Sequence, residues 1–123
     1  MRESGQMFIE LIVGIAIVML TLVGVVSLST QSTKTSRIGG NRSEATTYAE
    51  RYLEKIRRDR DSDPAYFFSH LPSGSCIAGS VPAVYTCTVS SIGSPLVKVT
   101  VTLSFVDGSN TFHVTEQTIL TNN

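Results

Sequence analysis

An uninterrupted apolar segment near the N-terminus most constrains what this 123-residue chain can fold into. Residues 5–28 read GQMFIELIVGIAIVMLTLVGVVSL, with no Pro, Lys, Arg or Asp and with a single acid, Glu10. A helix of about twenty such residues spans the ~30 Å hydrocarbon core of a bilayer. The sequence therefore predicts a transmembrane helix, with everything after Leu28 attached to it.

Glu10 is the charged exception within this apolar segment. A carboxylate costs about 2.5–3.5 kcal/mol at the bilayer centre, and somewhat less near the end of a span, where Glu10 lies. Two interpretations follow. Either Glu10 snorkels to water near the cytoplasmic end of an ordinary anchor, or it is buried in an assembly. In the second case it needs a cation from a neighbouring subunit, because an unpaired buried carboxylate is penalised.

The remainder of the chain, roughly 95 residues, is long enough for one small domain. The formal net charge is zero, so composition does not indicate nucleic-acid binding. Most acids and bases lie between residues 37 and 63, whereas residues 64–123 are nearly uncharged and rich in Ser, Thr and Val. This division predicts a charged helical half followed by a β half.

Residues 7–33 are predicted as one continuous helix. Gly39 and Gly40 then allow two interpretations. Two helices could meet at a kink, with Asn41 as the N-cap of the second helix and Glu44 as its reciprocal acid. Alternatively, one long helix runs from about residue 7 to about residue 60, a length of roughly 80 Å.

The segment after these glycines is amphipathic. Its apolar residues recur at the spacing of one helical stripe: Ala45, Tyr48, Ala49, Tyr52, Leu53 and Ile56. Charged residues fill the rest of its surface, and Asp63-Pro64 is predicted to end the helix. We expect the stripe to pack on a sheet, with a dedicated face for a partner helix as the alternative.

The C-terminal half carries the strand signals. Residues 64–83 contain several Pro, Gly and Ser and are predicted as a loop. Residues 84–90 alternate in polarity, and residues 97–105 give the cleanest period-two pattern. Residues 107–110 predict a turn, after which residues 111–120 return as a partner strand. The predicted fold class is α+β, with a long N-terminal helix packed on an antiparallel sheet of three or four strands.

The two cysteines, Cys76 and Cys87, are the next candidate site. A zinc site would need more Cys or His ligands at ordered spacings, and His70 and His113 stand apart from them. Two buried, reduced thiols are one interpretation. A disulfide is preferred, because the apolar segment directs the rest of the chain out of the cytosol, where disulfides persist.

No motif indicates catalysis, a cofactor or a metal, and the chain is predicted not to be an enzyme. No Gly-rich loop between a strand and a helix offers a phosphate site. Asp59, Asp61 and Asp63 superficially suggest calcium, but Pro64 stands where an EF-hand loop requires Gly. The basic residues at 51–60 are interleaved with acids, which is typical of a solvated face and not of a DNA-binding patch.

The N-terminal residues resemble the class III signal of type IV pilins and type II secretion pseudopilins. That family has a short charged leader, a Gly, and a mature N-terminus reading roughly FTLIEL. Here Gly5 is followed by QMFIEL, which places Glu10 at the fifth mature position. The resemblance implies cleavage after Gly5 by a membrane prepilin peptidase and methylation of the new N-terminus at Gln6. It also implies that Glu10 is the assembly glutamate, within one helical turn of the new amine.

The resemblance covers nearly the whole chain and implies the pilin fold. It divides the sequence into a leader peptide (1–5), a transmembrane and assembly helix (6–33), and the amphipathic second half of that helix (34–63). A loop and antiparallel sheet (64–123) complete a head domain together with residues 41–63.

Four features favour a minor pilin or pseudopilin over an abundant major pilin, among them the Gly39-Gly40 pair, which is unusual inside the long helix. Gln6 stands where the family has Phe, and the apolar helix lacks the Pro that many major pilins have. The cysteine loop precedes the final hairpin, whereas in major pilins it often lies at the extreme C-terminus.

The function implied by the resemblance is that of a structural subunit of a type IV pilus or a related secretion or DNA-uptake filament. The expected partners are other pilin-like subunits, the prepilin peptidase, the inner-membrane assembly platform, and membrane lipid before assembly. The expected location is the cell membrane, crossed once with the C-terminal domain outside the cytoplasm, and then a cell-surface or periplasmic filament.

Two other functions stay open. One is a monomeric, single-pass membrane-tethered module whose β-domain binds a ligand, and the other is a soluble domain secreted after cleavage near Ser29. By positive charges alone the C-terminal domain could face the cytosol, since Arg2 and the amino terminus precede the span while Lys34, Arg37 and Arg42 follow it. The N-terminal motif and the cysteine pair favour an extracytoplasmic C-terminal domain.

Overall fold

A computed structural model of the chain describes residues 3–121. Its elements are, in order, α1 (Glu3–Ser62), α2 (Pro64–Ser69), β1 (Gly74–Ser75), β2 (Thr86–Ile92), β3 (Leu96–Asp107) and β4 (Asn110–Thr121). The strands form one antiparallel sheet in the order β1-β2-β3-β4. The predicted α+β architecture of a long N-terminal helix and a small antiparallel sheet is confirmed. Met1 and Arg2 of the predicted leader, and the last two residues, lie outside the described part.

The chain divides into two compact units, Met1–Arg37 and Ile38–Asn123. The first contains the apolar segment of α1. The second, called the head from here on, contains the rest of α1, the short helix α2 and the whole sheet.

The hydrophobic core of the head lies between the sheet and the charged part of α1. On β3, every second residue from Val97 to Phe105 is at most 2% exposed, as the period-two pattern predicted. Five of the six apolar residues in the predicted helical stripe are buried against the sheet: Ala45, Ala49, Tyr52, Leu53 and Ile56. The sixth, Tyr48, is half-buried. The expectation that this stripe packs on a sheet is therefore confirmed.

Gly39 and Gly40 are helical, and α1 continues through them. Glycine within a helix costs about 1 kcal/mol relative to alanine, and the packing of the following turns on the sheet offsets that cost. The capping roles predicted for Asn41 and Glu44 are wrong, because no helix begins there. Both residues instead contact the hydroxyl group of Tyr85, as described below.

The hairpin between β3 and β4 closes through a two-residue turn. Asp107 pairs with Asn110, and Gly108 has a φ of +65°, a left-handed conformation that glycine adopts readily. The register continues without an extra residue as far as the pair Leu96 and Thr121. The predicted turn and return strand are thus confirmed.

The predicted loop at residues 64–83 contains two short elements, α2 and β1. α1 ends at Ser62, as predicted, and a carboxylate oxygen of Asp63 accepts a hydrogen bond from the backbone N–H of Tyr66 at 3.0 Å. Pro64 follows as the first residue of α2, a position that suits proline because no intrahelical donor is needed there. A proline that ends one helix therefore also begins the next.

Candidate functional site

The apolar segment, residues 5–28, presents apolar side chains on every side of α1. Its large apolar residues are all at least half exposed, from 50% at Ile15 to 77% at Met7. Among the described residues, α1 is the helix with the length and composition to cross a membrane. A helix that is apolar all round requires an apolar environment, which the described residues do not provide here.

Polar side chains within the apolar segment differ in how they are satisfied. The hydroxyl of Thr21 donates a hydrogen bond to the carbonyl oxygen of Val18 at 2.8 Å, so it is satisfied within the helix. The carboxylate of Glu10 is exposed, and it has no hydrogen bond or ion pair with any residue between 3 and 121. Glu10 is thus the charged group of this segment, and it requires a partner from outside residues 3–121.

The predicted processing and assembly residues lie on one stretch of helix. Gly5, Gln6 and Glu10 all belong to α1, and all three are exposed. A rise of about 1.5 Å per residue places Gln6 roughly 6 Å along the helix axis from Glu10, about one turn away. An amine created at Gln6 would therefore lie near the Glu10 carboxylate.

The two cysteines form a disulfide, which confirms the preferred interpretation. The Cα atoms of Cys76 and Cys87 are 5.4 Å apart, and the N–H of Cys76 donates to the carbonyl of Cys87 at 3.2 Å. The next residue, Ile77, donates its N–H to the hydroxyl of Tyr52 at 3.3 Å. The disulfide therefore ties the segment after β1 to β2. It is also consistent with an oxidising, extracytoplasmic environment for the head.

Tyr85 connects the beginning of the sheet to α1, a role that the sequence did not reveal. Its ring is buried, and its hydroxyl donates to the carboxylate of Glu44 at 3.2 Å and approaches the carbonyl oxygen of Asn41 at 3.4 Å. Burial raises the pKa of the Tyr85 hydroxyl above its ordinary value, and the neighbouring Glu44 carboxylate raises this pKa further.

The head also contains a cleft of about 460 Å³ between the end of α1, α2 and the segment that leads into β1. The rings of Tyr66 and His70 stack at its rim with a centroid distance of 4.3 Å. Tyr66 is 62% exposed, whereas its neighbour Phe67 is buried in the core. The volume lies within the range of small-ligand sites. Sequence reasoning missed the cleft because its walls come from separate elements.

Asp61 and Asp63, at the end of α1, each accept a hydrogen bond from a nearby residue. Asp61 accepts a hydrogen bond from Nε of Arg60 at 2.8 Å, and Asp63 caps α2. Within the part of the chain that the structure describes, no three His, Cys, Asp or Glu side chains come together as a metal site.

Comparison of the chain with protein-family models, curated proteins and solved structures found no match. The case for a function therefore rests on the residues of the apolar segment and of the head.

Proposed function

We propose that the chain is a structural subunit, a minor pilin or pseudopilin, of a type IV pilus or a related secretion or DNA-uptake filament. The observation that carries this proposal is an apolar segment exposed on every side that contains one carboxylate without a partner among the residues that the structure describes. Lipid alone would cover the apolar side chains but would leave Glu10 unpaired. Packing against like helices covers the same surface and can also bring a cation to Glu10.

The proposed assembly depends on processing at the N-terminus. Cleavage after Gly5 by a prepilin peptidase would create an amine at Gln6, which is then methylated. Because Gln6 is about one turn from Glu10, a subunit's own amine can neutralise the carboxylate. The amine of a staggered neighbour can do the same, and in that case Glu10 sets the axial register between subunits.

The proposed location follows from the apolar segment and the head. Before assembly the apolar segment is stored in the cell membrane, with the head on the extracytoplasmic side, which the Cys76–Cys87 disulfide supports. The inner-membrane assembly platform then transfers the subunit from lipid into a cell-surface or periplasmic filament. The exchange replaces lipid contacts with helix–helix contacts, so the apolar side chains stay covered throughout.

Substitution of Glu10 tests the proposal directly. We expect Glu10→Ala to accumulate in the membrane at the normal level and to be absent from sheared filaments. The variant lacks the carboxylate that would bind the amine of a neighbouring subunit. Glu10→Gln should behave in the same way, because it preserves size but removes the charge. Leu11→Ala, a matched truncation at the adjacent position, should still enter filaments. Normal incorporation of Glu10→Ala would show that the assembly role is wrong.

A second candidate function is a monomeric, membrane-tethered module that binds a ligand through the head, and the cleft beside Tyr66 and His70 favours it. The intact mass of the N-terminus separates the two candidates. A methylated chain beginning at Gln6 supports the filament subunit. A chain that retains Met1 supports the tethered module, and one that begins after Ser29 supports secretion.

A further inference from the structure

The two edges of the head sheet differ in how they are covered. The β2 edge is paired with β1 at Thr88 and Val89, and the disulfide holds the following residues in place. The β4 edge, Asn110–Thr121, has no strand beside it within the described part of the chain. Every second residue of such an edge directs its backbone N–H and C=O away from the sheet.

The β4 edge also lacks most of the features that normally prevent strand pairing. It is 12 residues long, contains no Pro, Lys or Arg, and keeps an unbroken register with β3. The exception is Glu116, a half-buried acid at mid-strand on the side that faces α1, where it pairs in register with Val101. An inward-pointing charge on an edge strand disfavours pairing with an uncharged strand.

A shallow groove runs beside this edge, between β4 and α1, with Leu53 among its lining residues. Its two arginines already have partners. Arg57 donates to a carboxylate oxygen of Glu54 at 3.3 Å and to the hydroxyl of Thr118 at 3.0 Å. Arg51 lies over the ring of Tyr48, with 5.9 Å between its Cζ atom and the ring centroid.

Two acids in the same groove have no such partner. Glu50 and Glu116 make no hydrogen bond or ion pair with any residue from 3 to 121. The groove therefore combines unpaired backbone groups along one side with three acids, Glu50, Glu54 and Glu116, against two arginines.

We propose that the β4 edge is a docking site for an extended segment of a partner polypeptide, which adds a fifth strand and places a Lys or Arg against Glu116 and Glu50. A residue directly opposite Glu116 on an added strand would have its Cβ about 4.5–5.5 Å away, within reach of an ion pair. Backbone hydrogen bonds supply the affinity, and the cation supplies the specificity.

A second copy of this chain does not fit the site. β4 contains no Lys or Arg, so pairing between two β4 edges would leave Glu116 without a cation. The one Lys or Arg in the sheet is Lys98, which lies on the inner strand β3 with strands on both sides. The partner is therefore a different polypeptide. This inference concerns the head alone, so it does not depend on filament assembly.

Two synthetic peptides test the proposal with the full-length, disulfide-bonded protein in detergent micelles. One has the sequence TVTRTVT, the other TVTETVT, and both carry acetyl and amide ends. We expect the Arg peptide to bind about tenfold more tightly in fluorescence anisotropy. In hydrogen exchange measured by NMR, it should protect alternate amides of β4 and leave β2 unchanged.

Charge reversal at the edge provides the decisive variant. Glu116→Lys should invert the preference, so that the Glu peptide binds more tightly, while Asp61→Lys, an equal change of charge away from the edge, should not. The proposal fails if neither peptide binds, if both bind equally, or if Glu116→Lys leaves the preference unchanged. It also fails if the protected amides lie outside β4.

Discussion

In residues 5–28 of α1 the apolar side chains point in all directions and stay exposed, whereas in residues 45–56 they are confined to one stripe and covered by the sheet. Both stretches are helical and belong to the same element. The difference shows what each stretch requires. Residues 45–56 complete a core that the chain builds for itself, while the apolar segment must be covered by lipid or by other helices.

The charged residues of the two stretches show the same difference. In the head, Glu54 and Arg57 form an exposed ion pair 3.3 Å long, and such pairs contribute about 0–1 kcal/mol because water solvates both partners. Glu10 has no partner within the described residues, and apolar side chains surround it. A charge placed there gains far more from a partner than Glu54 does, because it cannot be solvated once the segment is covered.

Truncation of one leucine in each unit should show the largest contrast. Leu103 is fully buried on β3, so we expect Leu103→Ala to lower the free energy of unfolding of the head by about 2–5 kcal/mol. Leu20 is 74% exposed in the apolar segment, so Leu20→Ala should leave that free energy unchanged. Denaturant unfolding of the full chain in micelles, followed by near-ultraviolet circular dichroism of the tyrosines, measures both.

Membrane fractionation of the same two variants provides a control. Both proteins should remain in the membrane fraction, since one lost side chain leaves the segment long and apolar enough to span. If Leu20→Ala destabilised the head as much as Leu103→Ala, the distinction between a self-covered and a partner-covered stretch would be wrong.

Removal of the disulfide should have the next largest effect. The double substitution of Cys76 and Cys87 by Ser should lower the free energy of unfolding of the head by about 3 kcal/mol, because the unfolded chain regains the entropy of a closed loop. Reduction of the wild-type protein with dithiothreitol should give a similar loss, which excludes an effect of the serines themselves. An unchanged unfolding midpoint in both experiments would show that β1 and the hydrogen bond from Ile77 hold this edge without the disulfide.

The elements that could be predicted from the sequence are those in which the pattern of apolar and polar residues follows the pattern of burial. The stripe beginning at Ala45 and the alternation from Val97 to Phe105 both record which face meets the core. The capping prediction at Asn41 and Glu44 was wrong because a local signal competed with tertiary packing, and packing prevailed. β1 has two residues, too few for any periodicity, so it could not be predicted.

The candidate sites divide in a similar way. Gly5, Gln6, Glu10 and the cysteine pair could be named because each depends on residue type and spacing along the chain. The groove at Glu116 could not, because its other acids, Glu50 and Glu54, are distant in sequence and belong to a different element. The acids of the groove come together only when α1 packs on the sheet.

The smallest effect concerns Tyr85, the buried hydroxyl that joins the sheet to the helical residues of the head. Because burial and Glu44 raise its folded-state pKa, the stabilisation is fully present below the unfolded pKa of about 10 and is lost as pH rises through the raised folded pKa. Between about pH 8 and pH 11, the wild-type head should therefore lose more stability than Tyr85→Phe, which cannot ionise. Near pH 8 the variant should be less stable by about 1 kcal/mol, since it lacks the hydrogen bond to Glu44.

Thermal unfolding at each pH measures the effect, and Tyr66→Phe is the matched control because Tyr66 is 62% exposed. The control should follow the wild-type curve across the whole range. Parallel curves for wild type and Tyr85→Phe would contradict the coupling between this hydroxyl and folding. Convergence of the two curves above about pH 10 would instead show that the head, unlike the apolar segment, satisfies its buried polar groups from within its own chain.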